Sequence, residues 1–208
     1  DHPDLHSFPT RRSSDLTHFD SGAVYRAIAL HYLRFSIPQS MWPAAVSSVP
    51  LTVDSRGGRT SVSLAGKCVD SEIRTGEVSN LVSPVSSTIE VRMRVNEVAA
   101  EFAENADLVA DGRDMGSVVF PNASLKVFLD ADETERARRR MLDFHAIGRM
   151  VTLEAVLTEQ RVRDANDRSK PWGSLVVPAG GVVIDTTGMT PGEVLETIAG
   201  LARKELGL

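Results

Sequence analysis

The sequence predicts a mixed α/β chain with an inserted lobe, and three observations predict it. Short apolar runs at Leu108–Ala110 and Leu125–Ala131 read as buried strands, and Val182–Asp185 as the last strand. Helical patterns separate them, the alternation expected of a parallel sheet. A hairpin pattern, Leu51–Asp54 facing Thr60–Leu64 across a Gly-bearing turn, interrupts that alternation. At 208 residues the chain suits one embellished domain.

Composition narrows the function classes. With 42% hydrophobic and 25% charged residues this is ordinary globular material, and no run reaches the length of a membrane span. No basic-then-apolar segment resembles a signal peptide. The single cysteine, Cys68, excludes an intrachain disulfide, fits a reducing cytoplasmic setting and is expected to be a small buried side chain. A net charge of −5 argues against general nucleic-acid binding. Neither nucleic acid nor membrane is expected as a partner, and a monomer is expected. Residues 136–170 nevertheless hold nine Lys/Arg against five Asp/Glu. A basic island in an acidic chain suits a compact polyanion such as a nucleotide's phosphates, while a solvated helical face is the reading preferred for Arg136 and Arg138.

Residues 1–16 show no periodicity and read as loop. His6 to Leu16 resembles an in-frame translation of a short-read sequencing adapter, so residues 1–16 are set aside as a non-native processing scar. Thr17–Asp20 then reads as a strand end turning into a helix through Ile28, Leu30 and Leu33, with Ser21 as candidate cap. Pro38, Pro43 and Pro50 mark a linker with a short helix. Asp70–Ser83 reads as one or two short helices after the hairpin. Residues 87–104 form a helix with an apolar stripe at Val91, Val95, Val98 and Phe102, and Arg92 falls outside that stripe.

Leu108–Ala110 ends at Asp111, and Gly112 lets the chain turn, leaving Arg113 and Asp114 at the strand's carboxyl end. Ligands bind at that end of open α/β sheets. A fork of donors beside an acceptor suits a phosphate and an amino or hydroxyl group, and an exposed ion pair in a turn fits the spacing equally well. After Leu125–Ala131, Asp132-Glu133 opens a helix through Arg140 on which Arg136, Arg139 and Arg140 share one side. A mobile segment is expected at 143–152, then a helix from Leu153 to about Arg168. Arg163, Asp167 and Lys170 fall at i, i+4 and i+7, one face if that helix persists. Thr190-Pro191-Gly192-Glu193 starts the closing helix.

Asp111-Gly112-Arg113-Asp114-Met115-Gly116-Ser117-Val118-Val119-Phe120-Pro121 resembles the signature of bacterial cytidylate kinases, and so does Asp20-Ser21-Gly22-Ala23-Val24-Tyr25-Arg26. Glu72-Ile73-Arg74-Thr75 and Ser83 match the family's acceptor insert. The resemblance runs from about residue 17 to the C-terminus. It implies a parallel-sheet P-loop nucleoside monophosphate kinase fold. The implied core is 17–44 and 86–208 with a lid near 143–152, and the implied insert is 45–85. It also implies phosphoryl transfer from ATP, with Mg²⁺, to CMP or dCMP. Arg113, Arg139 and Arg140 would be catalytic. Ser21, Arg26, Ser83, Arg92, Arg113, Asp114, Arg163, Asp167 and Lys170 would bind the acceptor.

Two departures stand out: Lys170 replaces the family's Arg, and Ser174-Leu175 replaces a Pro-Leu. The family's Gly-x-x-x-x-Gly-Lys-(Ser/Thr) phosphate loop occurs nowhere in the 208 residues. By family analogy it accompanies a strand in the middle of the sheet, whose neighbours are expected to face a gap. The alternative reading is therefore a catalytically incompetent nucleotide-binding remnant, or another nucleoside monophosphate kinase; a regulatory or structural domain predicts binding to neither nucleotide.

Overall fold

β1 (Thr17–Asp20) pairs in parallel with β5 (Leu108–Asp111), Asp20 lying opposite Asp111. In the computed structural model the described residues are 16–104, 107–169 and 175–206. They fall into two units, one ending at Gly112 and one beginning at Arg113.

In the first unit, α1 (Ser21–Arg34) follows β1 directly. Its small residues Ala23, Ala27 and Ala29 are buried together with Val24 and Ile28, so α1 is covered by α3 (Gly76–Ser87), β3 (Arg59–Leu64) and α4 (Ile89–Ala103). Its cap is Asp20 rather than the expected Ser21: the Asp20 carboxylate accepts from Ala23 N at 3.0 Å, and Ser21 Oγ donates to the Asp111 carbonyl at 3.2 Å. The strand pairing supplies that carbonyl, which local sequence cannot show. A Cβ on Gly22 would stand 3.0 Å from the capping oxygen, so a larger residue requires that carboxylate to give by a few tenths of an ångström.

A short α2 (Trp42–Ala45) lies between two 3₁₀ turns. Trp42 stacks on Tyr32 at 5.2 Å, and the buried Tyr32 hydroxyl donates to its carbonyl at 3.1 Å. β2 (Leu51–Arg56) and β3 form the predicted hairpin, with Gly57 and Gly58 at φ +60 and +82. That left-handed pair makes the two-residue turn whose twist matches the strands. β4 (Lys67–Cys68) adds a short edge. Cys68 is exposed there, against the expectation of burial, because β4 is an edge strand only two residues long. Thr88 adopts an extended conformation between α3 and α4, so the predicted long helix begins at Ile89.

The second unit holds β6 (Val127–Asp130), α5 (Glu133–Ala146), α6 (Leu153–Ser169), β7 (Val182–Asp185) and α7 (Pro191–Leu206). β6 and β7 are parallel and in register from Val127↔Val182 to Asp130↔Asp185. Asp132 caps α5, accepting from Thr134 N at 2.8 Å and Glu135 N at 3.3 Å. α5 runs six residues past the expected Arg140, leaving a short connection at 147–152 before α6 packs back on it. Gly148 turns that connection at φ +79. The described strands thus form two separate parallel pairs plus the antiparallel three-stranded sheet.

Candidate active site

The second unit contains a basic cavity of about 290 Å³, built mainly by the facing sides of α5 and α6. Arg136, Arg139 and Arg140 face it from one side of α5, and Glu159, Gln160, Arg163 and Asp164 from α6. Arg113 enters from the turn after β5, and Asp143 completes the wall. Guanidiniums this close repel. Burial first, then Arg163, Arg140 and Arg136, push the Arg113 guanidinium down to about 10, with Asp164 opposing them.

The arginines differ in what holds them. Arg136 Nη1 donates to Asp164 Oδ2 at 2.6 Å and its Nε to the Ala131 carbonyl at 3.1 Å. Arg140 is held loosely, 3.6 Å from Glu159 and 5.0 Å over the Phe144 ring. Arg139 is committed to the chain itself. It donates to Glu135 at 2.7 Å, to the Thr186 hydroxyl and carbonyl at 3.1 and 2.6 Å, and to the Met189 carbonyl at 3.3 Å. Those bonds hold the turn between β7 and α7.

Asp114 is 5% exposed, and its carbonyl accepts from Ser117, Val118 and Val119 N to form the π turn Met115–Val119. A Cβ on Gly116 would stand 3.1 Å from the Pro178 ring, closer than ordinary van der Waals contact. The Asp167 side chain, Lys170 and Ser174 lie outside the described residues.

The first unit holds the other predicted groups. Arg26 Nη1 donates to Ser79 Oγ at 2.7 Å and to the Ile73 carbonyl at 3.4 Å. Burial and, next, the charge of Arg74 draw its pKa down, while Asp20 opposes. Arg92 is buried on α4 and donates to the Ser86 carbonyl at 3.0 Å. Ser83 is exposed on α3. The structure therefore gathers Arg113, Arg139, Arg140 and Arg163 around one cavity, and within the other unit it seats Ser21 and Arg26 on α1, Ser83 on α3 and Arg92 on α4.

Four participants were not anticipated: Ser79, Glu135, Asp164 and His18, whose Nε2 lies 2.6 Å from Asp111 Oδ1. Glu135 was legible from its i, i+3 and i+4 spacing to Arg138 and Arg139. The others depend on tertiary approach. A larger cavity, about 490 Å³ between β2 and α4, contains none of the predicted residues.

Among the described residues no group of three or more His, Cys, Asp or Glu side chains could hold a metal ion. Such a group is not what Mg²⁺ needs when substrate phosphates supply most of its ligands.

The family model for cytidylate kinase matches residues 11–204. The chain is 41% identical over 191 residues to the cytidylate kinase of Pectobacterium carotovorum subsp. carotovorum, covering 90% of this chain and 84% of the relative. It is 40% identical over 193 residues to those of Erwinia tasmaniensis and Salmonella newport, covering 91% and 85% respectively. Two parallel strand pairs, an arginine-lined cavity beyond the Asp-Gly-Arg-Asp turn and a match along nearly the whole chain agree: this chain belongs to the cytidylate kinase family.

Proposed function

We propose that this protein transfers the terminal phosphoryl group of ATP to CMP or dCMP, giving CDP or dCDP. The observation that carries the reading is the cavity lined by Arg113, Arg136, Arg140 and Arg163 in a cytidylate kinase chain. Phosphoryl transfer needs little covalent help. It needs in-line positioning, neutralisation of charge on the migrating group and exclusion of water. Guanidinium forks suit that work because their charge persists and their donors match phosphate oxygens.

Arg26 and Arg113 are assigned to the acceptor's phosphate. Burial draws both guanidiniums below their ordinary values, the condition in which an incoming anion gains most. Arg139 and Arg140, with Arg136 beside them on the same side of α5, are assigned to the donor's phosphates, for which Arg139 would exchange its present partners on the chain. Asp114 is assigned to the cytosine amino group, an acceptor for a donor as in base reading by carboxylates. Arg92 would serve the ring nitrogen and carbonyl. Ser21, Ser83, Arg163 and Asp167 would hold the sugar or its surroundings, and Lys170 would add charge to the acceptor pocket. Mg²⁺ would come with the donor's phosphates and neutralise them; no residue here is assigned to it. The lid is assigned to the 147–152 connection and the ends of its flanking helices, and the acceptor insert to 45–85. A monomer acting in the cytoplasm is part of the same reading; among the described residues no helix is long and apolar enough to cross a membrane.

One observation favours a second reading. No Gly-x-x-x-x-Gly-Lys-(Ser/Thr) loop occurs among the 208 residues, so the chain could bind acceptor without catalysis. Chromatographic detection of CDP from ATP and CMP, beside separate calorimetric titrations with each nucleotide, separates the two. CDP formation supports the kinase. CMP binding without CDP supports the acceptor-binding form. Binding of neither nucleotide by folded protein rejects both.

A further inference from the structure

The two carboxylates that meet arginines across the α5–α6 cavity are held very differently. The side chain of Asp164 is 16% exposed and lies 2.6 Å from Arg136 Nη1, whose Nε is fixed on the Ala131 carbonyl. Asp164 thus has a short side chain, low exposure and a partner already tied to backbone. It also opposes the neighbouring arginines' pull on Arg113. Glu159 is 55% exposed and only 3.6 Å from Arg140, itself 40% exposed. A long side chain on a solvated helical face gives up such a partner easily, because an exposed ion pair contributes little.

We propose that these carboxylates do opposite jobs toward a bound polyphosphate. Asp164 is a positioning residue that keeps Arg136 aimed into the cavity. Glu159 is a resident counter-ion of Arg140 that the ligand's phosphate oxygens displace. When a polyphosphate enters, Arg140 exchanges a carboxylate for a phosphoryl oxygen, while the Arg136–Asp164 pair persists. Replacing the carboxylates by their amides therefore moves affinity in opposite directions. This rests on reading the cavity as a phosphate site, though not on the identity of the acceptor.

The test uses the full 208-residue chain and inorganic tripolyphosphate, titrated calorimetrically at fixed salt, with thermal melts of each variant. Glu159→Gln is expected to tighten binding about two- to fivefold, the scale of an exposed pair removed from competition. Asp164→Asn is expected to weaken it about tenfold or more, and Asp164→Glu to recover most of the loss. Should Asp164→Asn fail to fold, Glu159→Gln and Asp164→Glu still decide the matter. Shifts of the same sign in Glu159→Gln and Asp164→Asn overturn the proposal, as do an unchanged Glu159→Gln, no recovery in Asp164→Glu or no tripolyphosphate binding by folded wild type. Failure of the kinase reading registers separately, as absence of CDP formation from ATP and CMP.

Discussion

Arg139 Nη2 donates to the Thr186 carbonyl at 2.6 Å, and Arg139 Nη1 to the Thr186 hydroxyl at 3.1 Å. The same hydroxyl donates to the Asp130 carbonyl at 2.9 Å, so one arginine on α5 ties together the ends of β6 and β7. Two adjacent arginines on one helix are therefore held very differently, Arg140 only 3.6 Å from Glu159. Arg139→Ala is expected to lower the second unit's stability by about 1.5–3 kcal/mol, the scale of hydrogen bonds from a charged donor. Arg140→Ala is expected to leave the urea midpoint nearly unchanged and to weaken tripolyphosphate binding. Urea unfolding of both variants checks this, and equal destabilisation by the two would remove the distinction.

His18 and Asp111 join neighbouring strands at 2.6 Å. The hydrogen bond to Asp111 raises the His18 pKa above its ordinary value, burial and Arg59 oppose this, and Asp20 assists it. A raised folded-state pKa means the stabilisation is fully present below about 6.5 and is lost as pH climbs through the raised value. The pair is worth on the order of 0.5–1 kcal/mol, since Asp111 is half exposed. Urea midpoints measured from pH 5.5 to 8.5 should fall for the wild type more than for His18→Gln. Parallel curves would show that the pair contributes nothing.

Tyr32 packs flat on Trp42 and is 1% exposed. Burial pushes its phenol up to about 12. Alkaline titration followed by tyrosinate absorbance should therefore contain a component near 12 that Tyr32→Phe removes. The same substitution removes the hydroxyl's hydrogen bond to the Trp42 carbonyl, which keeps its bond from Val46 N, and should cost about 0.5–1.5 kcal/mol. A Tyr32→Phe curve identical to wild type would mean this ring is more exposed than its packing implies.

Arg113→Ala is expected to lower turnover by roughly 10²–10³ wherever transfer is detected, the scale of losing one charge-stabilising donor. Lys170→Arg is expected to tighten CMP binding, because it restores a fork where Lys offers a point charge. Steady-state rates and CMP dissociation constants report the two effects. A normal rate in the first, or unchanged or weaker binding in the second, takes that residue out of the site.

Local pattern carried much of this fold. The Gly57-Gly58 hairpin, the strand at Val182–Asp185 and the Pro191 helix start were all legible because turn chemistry and periodicity are short-range. The basic side of α5 was legible from spacing alone. What escaped were partners chosen in three dimensions: the Asp111 carbonyl that took the Ser21 hydroxyl, and the Thr186 carbonyl that took Arg139. Spacing fixes the side of a helix on which a guanidinium lies, and packing decides which carbonyl or carboxylate it finds there. Asp164 shows the same limit, since nothing in α6 alone points it at Arg136 across a 28-residue separation.

An acceptor site for a cytosine monophosphate would show itself in calorimetric titration of the folded chain with CMP and, separately, with UMP. Saturable CMP binding is expected, tighter than UMP by about tenfold, the scale of one well-placed polar contact to a base. No saturable heat with CMP, or equal affinity for UMP, would contradict it.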